Sequence, residues 1–492
     1  MLLLMPFVAR ARDIYVATNG GNSTYDAWST AFTNLQDALN MATNGDTVYV
    51  AGHTFVLPAS LSWTGRASTV TLMGGYAATN DAALPGARDL QHWATCIVRT
   101  NGTVAPLFRL LGIDGVTNGT LDGIRFGGGY LYTGITPDGG GGIAAFSANN
   151  LVVRNCIFTN NIASKSGTYG QTWGGAFWSS NSGVTVSNCT IRENQAIANS
   201  AGYAYGSGIG VLSGTVTVLD TVFTGNRGSV VSGQAGWGFY GGAIYNTGQS
   251  RLRNCLITCN MALFGGSGAA NGGGGMTLEN CTLAYNSGSN GLNRQSGTLA
   301  ATNCIIWGNG DDVTGAVTLA WCDVEDGDNS GSDGCFSAEP AFANGFYLAT
   351  NSPCVNAGTN DATYWNLEAQ TTRADGTADV GRVDTGYHYA QGLSWLNLYV
   401  APSGIDTNDG TNAAAPFRSI TRALREVRNG TRINIAAGSY TNLAETFPLT
   451  INGVTAVEFI GTNMAATIIN AGGANTRVFD LSGDGIRIEK MT

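Results

Sequence analysis

Between residues 155 and 309 the chain writes one phrase six times, Asn-Cys-x-(Ile/Leu/Phe)-x-x-Asn, with Asp220-Thr221 replacing Asn-Cys in the third copy. The copies open at Asn155, Asn188, Asp220, Asn254, Asn280 and Asn303 and close at Asn161, Asn194, Asn226, Asn260, Asn286 and Asn309. Their spacings of 23 to 34 residues suit units that cannot bury an apolar face alone and must stack on neighbours. The chain is therefore read as a pile of coils.

One repeat shows how a coil is built. Val184 and Val186 alternate with Thr185 and Ser187, as in a strand with one buried face; Asn188 interrupts, and Cys189-Thr190-Ile191 resumes before Asn194. Asparagine suits a corner because its amide tolerates left-handed backbone and can bond to an asparagine stacked above it. Asn155, Asn188, Asn254, Asn280 and Asn303 are accordingly expected to form a structural ladder. Cys156, Cys189, Cys255, Cys281 and Cys304 share the next position, so adjacent coils about 4.8 Å apart should stack them as an inward column of buried thiols. Cys322, Cys335 and Cys354 fall outside this spacing, which leaves room for a bridge between two of them. A further strand is expected at Gly174-Gly175-Ala176-Phe177 and its counterparts ending in Ile209 and Ile244.

An exposed coil end needs a cover. Leu35, Ala38, Leu39 and Ala42 make an i, i+3, i+4, i+7 stripe, so a short amphipathic helix over residues 33–43 is expected to cap the first coil. The same opening recurs late in the chain. Ile14-Tyr15-Val16-Ala17 answers Leu398-Tyr399-Val400-Ala401, Ala31-Phe32 answers Pro416-Phe417, and Ile420, Ala423, Leu424 and Val427 repeat the stripe. The expected organisation is a signal-peptide remnant over residues 1–11, a coil stack over 12–334, a loop-rich closing segment and linker over 335–397, and the start of a second, truncated stack over 398–492.

Composition agrees with short strands and tight turns: 71 glycines and only 12% charged residues in 492. A net charge of −9 argues against nucleic acid, which requires clustered Lys and Arg. The balance is uneven, with seven basic residues against three acidic ones over residues 151–310. No apolar run spans a bilayer. Residues 2–8 followed by Ala9-Arg10-Ala11 look like the apolar core and cleavage site of a secretory signal, so a secreted or cell-surface location is expected.

These residues resemble the right-handed parallel β-helix repeats of the pectate-lyase-like superfamily, and the Gly-Gly-Ala-(Ile/Phe) and Phe-x-x-Asn signatures are similar to repeats of polymorphic outer-membrane adhesins. Ser352-Pro353-Cys354-Val355-Asn356-Ala357-Gly358 with Asp384-Thr385-Gly386-Tyr387 looks like the closing segment of such modules. The resemblance implies an all-β parallel β-helix; this architecture hosts many activities.

The most specific surface feature is aromatic. Trp173, Tyr205 and Tyr240 precede the glycine-rich strand in three consecutive coils, with Tyr169, Tyr203 and Trp237 in the same loops. Rings one coil apart would form a ledge on which sugar faces stack; the alternative is that they pack their own loops. Catalytic groups are harder to find. A lyase of this architecture would gather calcium-binding carboxylates beside a Lys or Arg base, and a hydrolase would pair two carboxylates, yet the repeats offer only Glu193, Asp220 and Glu279 and no histidine. Asp311, Asp312, Asp323, Glu325, Asp326, Asp328 and Asp333 form an acidic loop read as turn carboxylates, a structural calcium being the alternative. No metal ligand set or cofactor is otherwise expected. The reading is a binding or adhesion protein, with polysaccharide as partner; the alternatives are a polysaccharide lyase or glycoside hydrolase and a passive stalk.

Overall fold

The computed structural model describes residues 11–492 except 66–67, 100–105, 135–137, 166–169, 199–201, 231–237, 344, 391–395, 409, 428–429, 453–456, 474–475 and 483–485, with the side chains of 133, 452 and 482 also undescribed. The leader-like residues 2–10 and the linker residues 391–394 thus lie outside the described part. Two compact units are present: residues 1–338 with 357–359 and 385–387, and residues 339–356, 360–384 and 388–492.

Three long sheets build the first unit, of eleven, ten and nine strands, all paired in parallel. Strand register aligns equivalent residues of successive coils. On the first face Val153, Val186, Val218, Leu252, Leu278 and Ala301 stack in one column. Phe126, Phe158, Ile191, Phe223, Ile257, Leu283 and Ile306 do so on the second, and Ile143, Phe177, Ile209, Ile244, Ala269 and Leu292 on the third. These columns meet in one continuous core. Every coil therefore buries its apolar face against the two beside it. Helix Leu35–Met41, capped where Asn34 Oδ1 accepts from Gln36 N at 2.8 Å, adds Leu35, Ala38 and Leu39 to that core.

Corners are made by two kinds of asparagine. Asn155, Asn188, Asp220, Asn254, Asn280 and Asn303 hold φ between +47° and +55°, and their side chains touch from coil to coil: Asn188 Nδ2 donates to Asn155 Oδ1 at 2.7 Å, Asn254 to Asp220 at 2.8 Å, and Asn303 to Asn280 at 3.0 Å. The closing asparagines lie inside. Asn161, Asn194, Asn226, Asn260, Asn286 and Asn309 are almost wholly buried, and each donates from Nδ2 to the Oδ1 of the next at 2.9–3.0 Å. Gly129 N feeds the first member at 3.0 Å, and the last donates to Asp312 Oδ1 at 2.9 Å.

The cysteine column is buried, Cys156 N approaching Cys189 Sγ at 3.4 Å. The three outlying cysteines need correction. Pairing of Ile305 with Asp323, and of Asp323 with Phe336, places Cys322 and then Cys335 in line after Cys304. All ten cysteines are thiols, Cys354 included, and no disulfide joins any of them. The spacing shortens because the last coils lose their loops, so the column outlives the repeat.

The glycine-rich segments also differ from expectation. The strands begin at Phe177, Ile209 and Ile244, and the glycines before them are corners: Gly174, Gly206 and Gly241 hold φ of +56°, +61° and +67°. A side chain at Gly175 would come within 2.4 Å of Ser207 O, so the next coil's backbone excludes one.

In the second unit, strands Leu396–Val400, Thr431–Ile435, Val457–Gly461 and Arg487–Glu489 form a parallel sheet. Two parallel pairs accompany it, and helix Ile420–Ala423 is capped by Ser419. Leu398, Val400, Phe417, Ile433, Ile435, Val457 and Phe459 form its core. The segment before it ties itself by a buried polar knot: His388 Nε2 lies 2.7 Å from Asp379 Oδ2, and Asp384 accepts from Asn356 N at 2.7 Å.

Candidate functional site

After Asn161, Asn194 and Asn226 the chain leaves the coil, runs outward and returns before the glycine corner. The outgoing strands Tyr130–Thr133, Ile162–Lys165, Gln195–Ala198 and Arg227–Val230 make one parallel sheet. The returning strands Asp138–Gly139, Gly170–Trp173, Gly202–Tyr205 and Gly238–Tyr240 make another. Ala196, Ala198, Ala204 and Phe239 pack the two together as a wing. The segments expected to be loops are therefore largely strands.

The wing decides the fate of the aromatic residues. Trp173, Tyr205 and Tyr240 are in register on its returning sheet, but they face the outside of the third coil sheet, where Trp178 and Tyr245 point outward opposite Phe177 and Ile244. Trp173 lies 4.6 Å from Tyr205 and 5.5 Å from Tyr245, and Tyr205 lies 4.5 Å from Tyr245. Trp173 is only 2% exposed and Tyr205 9%. Burial pushes the Tyr205 phenol well above its ordinary range and that of Tyr245 up to about 12. Gly210 makes the fit possible, since a Cβ there would sit 2.7 Å from Gly174 N.

The expected ledge is accordingly narrower than six rings. Trp173 and Tyr205 are its foundation. Tyr203 and Tyr240 remain half-buried, 6.3 Å apart, and Phe264, 52% exposed, continues the row 6.3 Å beyond Tyr240. Phe264 belongs to a coil without a wing strand, so the aromatic spacing did not reveal it. Tyr169 and Trp237 lie outside the described residues.

Carboxylates along the repeats are engaged with neighbours. Asp122, fully buried, accepts at 2.7 Å from Arg88, Arg154 and Asn155; burial alone would raise its pKa, and these three donors hold it below the usual carboxylate range. Glu279 pairs with Arg251 at 2.8 Å, and Asp220 accepts from Asn254. In the acidic loop Asp323 accepts from Ala338 N, Asp326 from Asp312 N and Asp328 N, and Glu325 from Gly308 N. These are turn and capping contacts of carboxyl groups with backbone N–H. Among the described residues no three His, Cys, Asp or Glu side chains converge on a metal position.

One residue of unexpected character is Arg192. It stands in a second-sheet column of small residues, between Thr159 and Thr224, and is 8% exposed. Its Nε and Nη1 are buried without a hydrogen-bond acceptor, Glu193 Oε2 lying 3.8 Å from Nη1. Burial lowers its pKa. A charged side chain in a threonine column was the sequence signal.

The chain is all-β, its first unit a right-handed parallel β-helix. Residues 105–257 match the family model described as right handed beta helix region, and residues 402–477 match that described as protein of unknown function, DUF1565. No curated protein matches. Among solved structures, pectate lyase Pel9A is similar over 77% of this chain and 98% of its own, at 14% identity and TM-score 0.41. A rhamnogalacturonan lyase is similar over 68% and 90%, at 12% and 0.33, and the PL6 family alginate lyase AlyGC over 97% and 71%, at 11% and 0.25.

Proposed function

We propose that this is a secreted or cell-surface β-helix that binds polysaccharide through the edge of its wing, without cleaving it. The observation that carries the reading is the division among the rings: Trp173, Tyr205 and Tyr245 form a rigid buried base, while Tyr203, Tyr240 and Phe264 line up above it across successive coils. A row of rings on a preformed scaffold presents flat apolar faces to sugar C–H groups at low ordering cost. Engagement of Asp122, Asp220 and Glu279 with Arg and Asn side chains supports binding over catalysis, and the leader-like residues 2–11 support export. Among the described residues no helix is long and apolar enough to cross a membrane.

Native affinity gels containing pectic, alginate, xylan or galactan polymers test this with the full chain. Retardation by at least one polymer is expected. Tyr203→Ala with Tyr240→Ala should weaken it by about 1–3 kcal/mol, roughly 5- to 150-fold. Absence of retardation, or calcium-dependent release of unsaturated sugar, would overturn the proposal.

A further inference from the structure

The two openings of the chain are built on one plan, and a place that is filled in the first is unfilled in the second. In the first unit Tyr15, Tyr49 and Met73 stand in register on the outside of the first face. The loop between Ala17 and Phe32 folds over them and inserts Trp28, 4% exposed, whose ring lies 4.8 Å from Tyr15 and whose Nε1 donates to Pro85 O at 3.1 Å. In the second unit Tyr399, Asn434 and Ile460 occupy the same column.

The covering loops correspond bond by bond. Tyr15 N donates to Tyr25 O and Tyr399 N to Gly410 O; Thr30 N donates to Ala27 O and Ala415 N to Asn412 O; Phe32 N donates to Tyr15 O and Phe417 N to Tyr399 O. Trp28, next after Ala27, thus corresponds to Ala413, next after Asn412. Where the indole sits in the first unit, the second has a cavity of about 280 Å³ bounded by Tyr399, Ala413, Pro416, Asn434, Ile460 and Thr462 among others.

We infer that this cavity is a binding site for one neutral pyranose residue. It is a pocket open to one side, and an aromatic ring fills the equivalent place in the same chain. Its size falls just below the range of about 300–1,000 Å³ for small-molecule pockets, which suits one sugar residue. The chemistry has shifted from the first unit: the phenol ring of Tyr49 is replaced by Asn434, whose Nδ2 donates one hydrogen to Leu398 O at 3.3 Å and whose Oδ1 and second hydrogen are left for hydroxyls, while the Tyr399 ring, Ile460 and Pro416 remain for an apolar sugar face. Among the described residues that line it none is charged, so a uronate carboxylate would enter without a counter-ion from them. The site lies in a different unit from the wing and stands or falls separately from it.

Saturation-transfer NMR on the full chain tests the inference, with neutral methyl pyranosides, methyl galacturonide and N-acetyltryptophanamide as probes. At least one neutral pyranoside should give transfer, concentrated on the ring protons of one face. Ala413→Trp, which installs the indole of the first unit, should cut that transfer at least tenfold without lowering the melting temperature. Asn434→Ala should weaken binding about tenfold, and it carries the test should Ala413→Trp fail to fold. Tyr203→Ala with Tyr240→Ala should leave the signal unchanged. Transfer to no neutral pyranoside, transfer only to N-acetyltryptophanamide or to the uronide, or a signal that survives both Ala413→Trp and Asn434→Ala would overturn it.

Discussion

Replacing Asn226 by Ala removes the middle rung of the buried ladder. Its Oδ1 accepts from Asn194 N at 3.1 Å and from Asn194 Nδ2 at 2.9 Å, and its Nδ2 donates to Ile191 O at 2.8 Å and Asn260 Oδ1 at 2.9 Å. Asn194 Nδ2 keeps Phe158 O and Arg192 O as acceptors, whereas Asn194 N loses the one bond shown for it. An orphaned buried donor costs about 1–3 kcal/mol, and three further lost bonds about 0.5–1 kcal/mol each, so the substitution should destabilise by about 3–6 kcal/mol. Asn188, exposed at the other corner with one amide contact and φ +49°, is the control; Asn188→Gly keeps the left-handed turn and should cost about 1 kcal/mol or less. Because each coil contacts mainly its neighbours, the loss should be local. Urea unfolding followed by circular dichroism gives the global comparison. Hydrogen exchange of a peptide around Asn194 gives the local one, with acceleration of more than about a hundredfold expected there and little change near Asn303. Equal urea midpoints for the two variants, or unchanged exchange around Asn194, would refute the claim that the interior amides, and not the corner ones, hold the coils in register.

Asp312 has its pKa raised to about 6 by burial, above its ordinary 3.8. Its contribution to stability is therefore greatest below about pH 3.8 and is lost as pH rises through about 6, an effect of about 3 kcal/mol. Melting temperatures at pH 4.5 and 7.5 should diverge less in Asp312→Asn than in the parent. Arg192→Met removes a buried guanidinium with two nitrogens lacking acceptors and should stabilise by about 1–2 kcal/mol in urea unfolding; destabilisation would show that Arg192 has bonding the geometry does not reveal. Thiol titration of the native protein should modify Cys259 quickly and Cys96 slowly, the other eight reacting only on unfolding, because Cys259 is exposed, Cys96 intermediate and the rest buried.

Much of the coil could be read from the chain because its determinants are local and periodic. An asparagine every 23 to 34 residues marks a left-handed corner, and the apolar residue three positions on marks a core column. The wing was not legible for the opposite reason. Ile162-Ala163-Ser164-Lys165 and Gly202-Tyr203-Ala204-Tyr205 are four-residue runs too short to show a strand pattern alone, and their strand character comes from stacking on equivalent runs in neighbouring coils. The burial of Trp173 and Tyr205 depends on a surface far away in sequence. A hint did exist: Trp178 and Tyr245 alternate with the core residues Phe177 and Ile244, and large rings on the supposedly wet side of a strand call for a cover. Cys322 and Cys335 break the repeat spacing yet keep the same position in the coil, which only the strand pairing makes visible.

The direction of the buried ladder explains where the repeats stop. Every interior asparagine donates from Nδ2 toward the next coil and accepts on Oδ1 from the preceding one. Such a chain of amides can start on a backbone donor, and Gly129 N supplies it. An asparagine in the last place would have only backbone carbonyls for its Nδ2 hydrogens, as Asn194 Nδ2 has in Phe158 O and Arg192 O. A carboxylate, once ionised, ends the chain by accepting alone, with no hydrogens of its own to place. Asp312 takes that place, accepting from Asn309 Nδ2 through Oδ1 and from Glu325 N at 2.9 Å through Oδ2. The change from asparagine to aspartate after the sixth copy is thus the polar counterpart of helix Leu35–Met41 at the other end. The helix covers the apolar core, and the carboxylate closes the hydrogen-bond chain running through it.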